Sequence, residues 1–202
     1  MENQEPRRAT VRRETAETKV SVELCLDGTG KYEIATGNGM LDHLLAQLSR
    51  HGMLDLKVEA KGDLSTGWHH LVEDVAIVLG RGLRQALGEG LGIVRMGHAI
   101  VPLDEALATV AVDVGGRGYA VVETGLTGER VGDLPTDLVR HFLESFAIEA
   151  RVTLHTKVER GKNDHHRAEA LFKALAKALR QAVERDRRAP GEVPSTKGTI
   201  SG

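Results

Sequence analysis

His69-His70-Leu71-Val72-Glu73 and His165-His166-Arg167-Ala168-Glu169 carry the same pattern, HHxxE, twice, 96 residues apart. At the same offset, Leu83-Arg84-Gln85-Ala86 recurs unchanged as Leu179-Arg180-Gln181-Ala182. Two long helices are therefore copies of one another. Upstream of each, His43-Leu44-Leu45 matches His141-Phe142-Leu143 at an offset of 98, which implies a two-residue length change between the copies. The chain reads as an internal duplication.

The elements around the pattern support this. Val20, Val22, Leu24 and Leu26 alternate with polar residues, the signature of a half-buried strand. Asp27 to Gly30 reads as a hairpin turn into a return strand, 31–35. Met40, Leu41, Leu44, Leu45 and Leu48 have helical spacing over 40–51, and Gly52 is a natural stop. A strand at Leu54, Leu56 and Val58, a turn at Lys61-Gly62-Asp63 and a helix over 68–87 complete the first copy. Inside that helix Gly80 and Gly82 each cost about 1 kcal/mol against Ala, but would let another helix approach closely. The second copy has strands at 108–114 and 118–124 around Gly115-Gly116. A helix over 136–149, a strand at Val152, Leu154 and Val158, and a helix over 164–187 with Asp164 as its N-cap follow. Residues 97–102 form an extra extended segment. The expected fold is α+β: a single domain, 1–202, of two strand-strand-helix-strand-helix repeats (about 19–88 and 107–187), sheets packed against helices. A polar arm (1–18) precedes them and a Pro- and Gly-containing tail (189–202) follows.

Composition removes several function classes. Lys+Arg 27 against Asp+Glu 29 leaves a net charge of −2, which disfavours a nucleic-acid binder. An RNA-binding module would also need stacking aromatics, and these are only 3% of residues. One cysteine, Cys25, excludes an intrachain disulfide and reads as strand packing. The first residues lack an apolar signal region, and no apolar run reaches the ~20 residues needed to span a bilayer. A cytoplasmic protein is expected.

Nine histidines are the unusual feature of the composition, and six fall in the matched clusters. His69 and Glu73 are four residues apart on one helix face, as are His165 and Glu169, and each pair can grip a metal ion. His70 and His166 are rotated about 100° from their neighbours and point elsewhere. Two metals follow. The duplication suggests His43, His69 and Glu73 at one and His141, His165 and Glu169 at the other, with His166 and His70 completing each set across an interface. Three imidazoles and a carboxylate leave open positions on an octahedral ion. Spacing does not choose among Zn, Mn, Fe and Ni. A metal-storage assembly without catalysis is the competing reading.

LDHLLAQLSRHG, WHHLVED, GHAIVPLDEA, GGRGY, RHFLESFA, KNDHHRAEALFKALAKAL and the terminal PSTKG, in that order, resemble the imidazoleglycerol-phosphate dehydratases over nearly the whole chain after about residue 10. The resemblance implies a ribosomal protein S5 domain 2-like fold and a hydro-lyase of histidine biosynthesis. It implies dehydration of D-erythro-imidazole glycerol phosphate to imidazole acetol phosphate, through a metal-bound imidazolate and a diazafulvene-like intermediate. It implies two Mn(II) ions per active site and a 24-subunit assembly with sites between subunits. By the same resemblance His43, His69, His70, Glu73, His141, His165, His166 and Glu169 are metal ligands. Glu17 is the general base, with Glu14 as the alternative, and Arg95, Arg117, Lys173, Ser195 and Lys197 hold the phosphate. Gln47 and His51, on the helical stripe of His43, are expected to touch substrate hydroxyls. His98, His155 and Trp68 read as structural, and Asp42 and Asp104 as residues that could orient a ligand histidine.

Overall fold

The computed structural model of the chain describes residues 5–62 and 64–200. Asp63 of the expected turn, the first four residues of the expected arm and the last two of the tail lie outside them. The first half runs β1 (Arg8–Glu14), β2 (Thr18–Cys25), β3 (Tyr32–Ala35), α1 (Gly39–Gly52), β4 (Asp55–Gly62) and α2 (His69–Leu87). The second half runs β5 (Met96–Leu103), β6 (Ala106–Asp113), β7 (Tyr119–Glu123), a small hairpin of β8 (Arg130–Val131) and β9 (Leu134–Pro135), α3 (Thr136–Ala150), β10 (Thr153–Arg160) and α4 (Asp164–Val183). The two four-stranded sheets have matching orders, β1-β2-β4-β3 and β5-β6-β10-β7. In each, one edge strand pairs parallel and the other two pairings are antiparallel. The α+β class with sheets against helices is what the sequence predicts.

Several expectations are corrected. Residues 8–14 are not a solvated arm but an edge strand, paired residue for residue with β2 from Arg8 opposite Cys25 to Glu14 opposite Lys19. Arg8, Arg12 and Glu14 are exposed, while Ala9 and Val11 face inward with Arg13, which pairs with Asp74 of α2 at 2.7 Å; a strand with so few apolar residues has the composition of a polar arm. Residues 97–102 are its counterpart, β5, so each half begins with one strand more than expected. Asp27 to Gly30 does not close a hairpin, because β4 lies between β2 and β3. The Asp55 carboxylate accepts from Thr29 N (2.7 Å) and Lys31 N (3.1 Å) and steers the chain across that gap. The N-cap of α4 is Asn163, whose side chain accepts from His165 N. The Asp164 carboxylate instead accepts from Thr127 N and Gly128 N and pairs with Arg167. Finally, α4 ends at Val183 rather than 187, where Glu184 and Arg185 leave the helix to pair with the 92–94 segment.

The helices pack crosswise. α2 lies on the first sheet and α4 on the second, but α1 packs against α4, and α3 against α2. Each short helix therefore rests on the long helix of the other half. Fully buried Leu44, Leu45, Phe142, Leu143 and Phe172 fill this centre. At the α2–α3 crossing a Cβ on Gly80 would stand 2.7 Å from the Phe146 carbonyl oxygen and 2.9 Å from Ala150 N, both backbone atoms that cannot turn aside. A Cβ on Gly82 would meet only side chains, at 3.9 Å or more. Of the two helix glycines, one is required by packing. Gly80→Ala should destabilise the fold by about 2 kcal/mol, overpacking outweighing helix propensity, whereas Gly82→Ala should be neutral or stabilising. Thermal denaturation of the two variants checks this; equal melting temperatures would contradict the crossing geometry.

Candidate active site

The crossed packing determines which histidines meet. Asn38 caps α1 through Leu41 N, and the Asp133 carboxylate, from the β8–β9 hairpin, accepts from Gly39 N and Met40 N at the same helix start. A carboxylate there satisfies orphan donors and complements the helix dipole. His43, just inside, reaches the start of α4. Its Nε2 lies 2.8 Å from Glu169 Oε2, and His165 Nε2 lies 3.1 Å from the same oxygen. On the other side His69 and His141 stack at 4.6 Å between ring centroids, and His141 Nε2 lies 3.4 Å from Glu73 Oε1. In each trio, His43–His165–Glu169 and His69–Glu73–His141, the ligand atoms lie within 4.8 Å of one another. The expected partition is thus corrected: the short-helix histidine of one half joins the long-helix pair of the other half.

Two features suit these trios to a metal. Each offers two imidazoles and a carboxylate, a donor set that divalent transition metals accept. His141 Nε2 is also buried without a hydrogen-bond partner, an arrangement that is costly unless something else binds the nitrogen. Burial works to raise the Glu169 carboxyl, but hydrogen bonds from Lys173 (2.5 Å) and His43 hold it down at about 2. It is ionised at any working pH.

His70 and His166 stand outside the trios, each beside a carboxylate. His166 Nδ1 is 2.8 Å from Glu105 Oε2, and Glu105 also accepts from Lys162 N and Asn163 N. The Glu105 contact raises the His166 pKa, while His166 and those two amides push the Glu105 carboxyl well below the usual range. His70 Nδ1 lies 3.4 Å from Glu17 Oε2 and 3.3 Å from Thr66 Oγ1. Glu17 sits in the exposed β1–β2 turn, whereas Glu14 is on β1 and pairs with Lys19 at 3.1 Å. Glu105 escaped notice in the sequence, yet it stands 88 residues after Glu17, the offset that relates β6 to β2.

Gln47 and His51 hydrogen-bond to each other at 3.1 Å along α1, beyond His43. Burial, then Lys173 and Lys177, lower the His51 pKa. Asp42 orients no histidine, since its carboxylate accepts from Thr36 N (2.9 Å) and Thr36 Oγ1 (2.6 Å) at the entry to α1. Asp104 comes no nearer than 4.0 Å to His166 Nε2. His98 and His155 are exposed strand residues, and Cys25 is buried.

The phosphate candidates divide. Arg95, Arg117, Ser195 and Lys197 line one cavity of about 630 Å³ between the start of β5 and the tail. There Arg95 is fixed by both Asp113 oxygens (2.7 and 3.1 Å) and the Pro194 carbonyl (2.8 Å). Lys173 is not in that cavity but on Glu169. Arg95 and Asp104 flank the 8 residues of β5, so they lie roughly 30 Å apart at ~3.3 Å per residue. Within one chain, the anion cavity and the histidine clusters are at opposite ends of a sheet.

Comparisons with known proteins agree with the site chemistry. A family model described as imidazoleglycerol-phosphate dehydratase matches residues 36–179. The imidazoleglycerol-phosphate dehydratases of Dehalococcoides mccartyi and Methanothermobacter thermautotrophicus are each 54% identical over 194 residues, 96% of this chain and 97% and 98% of theirs. The crystal structure of the Staphylococcus aureus imidazoleglycerol-phosphate dehydratase superposes with a TM-score of 0.80 at 36% identity, covering 88% of this chain and 99% of that one. That of the Pyrococcus furiosus enzyme gives 0.78 at 37%, covering 94% and 99%. No helix among the described residues is long and apolar enough to cross a membrane.

As metal holders the two trios should act separately. His43→Ala should lower bound metal by one ion per chain and leave the His69–Glu73–His141 ion in place, with His141→Ala doing the reverse. Elemental analysis of the purified variants reads this directly. No loss in either variant would remove the trios as metal sites.

Proposed function

The chain belongs to the imidazoleglycerol-phosphate dehydratase family, hydro-lyases of histidine biosynthesis, and from that premise we propose that its reaction depends on two Mn(II) ions per active site. The observation that carries this reading is the pair of His-His-Glu trios, each drawing on both halves of a duplicated chain. His43, His165 and Glu169 would hold one ion, and His69, Glu73 and His141 the other. His70 and His166, each with a carboxylate on Nδ1, keep Nε2 as the metal-binding nitrogen and would complete a trio on a neighbouring subunit. Ions held by these residues would supply Lewis acidity to the substrate ring, which would ease loss of its N–H proton.

The protein's own groups do the rest. The proton to be removed sits on a carbon bearing a hydroxyl, with no adjacent carbonyl to acidify it, so the ring must supply the driving force. Once deprotonated, the ring expels the hydroxyl from the carbon next to it and gives a diazafulvene-like species. Glu17 then takes the proton from the following carbon. The resulting enol becomes the ketone, the ring regains its proton, and one water has left overall. Glu17 suits this role better than Glu14, because it stands beside His70 while Glu14 is engaged by Lys19. Gln47 and His51 would bind the substrate hydroxyls.

Arg95, Arg117, Ser195 and Lys197 would hold the phosphate, the guanidinium forks suiting its oxygens. Lys173 would join them from the Glu169 side. Because the cavity of Arg95 and Arg117 lies at the far end of a sheet from the Glu169 cluster of the same chain, the reading includes sites shared between subunits of a homo-oligomer, the 24-mer that the family resemblance implies. A cytoplasmic location and a single two-repeat domain belong to the same reading.

Crystals grown with a substrate analogue and measured across metal absorption edges test the centre of this proposal. Two manganese ions bridged by the analogue's ring are expected; zero or one ion would overturn the two-metal mechanism. For the phosphate cavity, Lys197→Ala should raise KM about 10-fold or more with metal content unchanged. An unchanged KM would take Lys197 out of the site.

A further inference from the structure

The duplication supplies an internal control for the turn that carries Glu17. The offset of 88 that aligns β1 and β2 with β5 and β6 places Glu17 opposite Glu105, Thr18 opposite Ala106 and Arg13 opposite Val101. The offset of 96 between α2 and α4 places Asp74 opposite Ala170. Where the second half has Val, Ala and Ala, the first half therefore has Arg, Thr and Asp. These three are linked. Arg13 Nε donates to Asp74 Oδ1 at 2.7 Å, and the Thr18 hydroxyl donates to Asp74 Oδ2. Asp74 is 6% exposed and Thr18 4%.

Stability does not account for this substitution of polar for apolar. Burying the Asp74 carboxylate carries a desolvation cost that a half-buried arginine offsets only in part, and the second half folds the same strands and helix on the apolar set. The difference lies in the two turns. Glu105 is locked by its own carboxylate, which accepts from two backbone amides and faces His166. For Glu17 the described contact of the carboxylate is His70, at 3.4 Å. A carboxylate that must accept a proton from carbon cannot be saturated with hydrogen bonds, so its position has to be fixed from behind. The chain does this through the turn's backbone. Thr15 Oγ1 accepts from Glu17 N (3.1 Å) and Thr18 N (3.0 Å) and lies 3.2 Å from Thr18 Oγ1. Thr18 in turn is tied to Asp74, one residue beyond the trio residue Glu73.

We propose that Asp74 is a positioning residue for the Glu17 carboxylate, acting through Thr18 and Thr15 and braced by Arg13. This rests on Glu17 being the general base. Asp74 couples the base to the helix that carries the His69–Glu73–His141 trio, so base and trio keep one relative geometry.

The test transplants the second half's residues into the first. The assembled, manganese-loaded enzyme carrying Arg13→Val, Thr18→Ala and Asp74→Ala should keep its metal content and its melting temperature within a few degrees. Its kcat should fall about 30-fold with KM nearly unchanged, as expected for a displaced base rather than a damaged substrate site. Amide hydrogen exchange across residues 15–18 should rise, a readout independent of turnover. In parallel, Glu17→Gln should lower kcat by about 100-fold or more. An unimpaired Glu17→Gln enzyme would sink the base assignment and this inference with it. An impaired Glu17→Gln enzyme set beside a transplanted enzyme of wild-type kcat would overturn the positioning role alone. Should the triple variant fail to fold, Thr18→Ala cuts the same link singly. It should lower kcat, and Thr18→Ser should restore it; wild-type kcat in Thr18→Ala would overturn the proposal.

Discussion

The packing of each short helix on the long helix of the opposite half is the contact on which the rest depends. α1 lies on α4 and α3 on α2, and side chains of both halves fill the space between. Neither half buries its helices alone. The same contact creates the histidine clusters, because a ligand pair at i and i+4 on one helix gains its third member only from the helix crossing it. Gly80 shows how close the crossing is, with α3 backbone where a Cβ would stand. Fold and site thus rest on one interface, and a cut between the halves would divide both trios.

Duplication also sets the two halves different tasks at equivalent places. The β5–β6 turn holds a carboxylate to which two amides and an imidazole are bonded, contacts that fix His166 and lower that carboxylate's basicity. Among the described residues the β1–β2 turn sets its carboxylate against His70, and the polar groups stand behind it. Hydrogen bonding thus separates two glutamates that share one ancestral position.

Much of this was legible in the sequence because the signals are periodic. Alternating Val20, Val22 and Leu24 and the 3.6-residue spacing of Leu41, Leu44 and Leu48 locate strand and helix by burial alone. Repeated HHxxE pairs locate candidate metal-binding faces by the same helical spacing. What escaped was long-range. The pairing of β3 with β4 rather than β2 depends on Asp55 capturing the 29–31 segment, a contact with no local trace. The partition of the histidines followed sequence halves, whereas helix crossing follows three-dimensional packing. β1 hid behind its charges, since Ala9 and Val11 are its only apolar residues and Arg13 shares their inner face. Asp164, beside Asn163, could have capped α4 on chemistry alone; the geometry of the turn chose the neighbour.

The length of β5 has a genetic consequence. The cavity lined by Arg95 and Arg117 and the cluster around Glu169 are at opposite ends of one chain. In the proposed shared-site assembly, lesions at those two ends would fall in different active sites. Two chains, each inactive alone, would then complement when co-expressed. In an even mixture where each site draws on two chains, about a quarter of the sites would contain no lesion. Mutant alleles would sort into two complementation groups by position along a strand rather than by the repeat in which they lie.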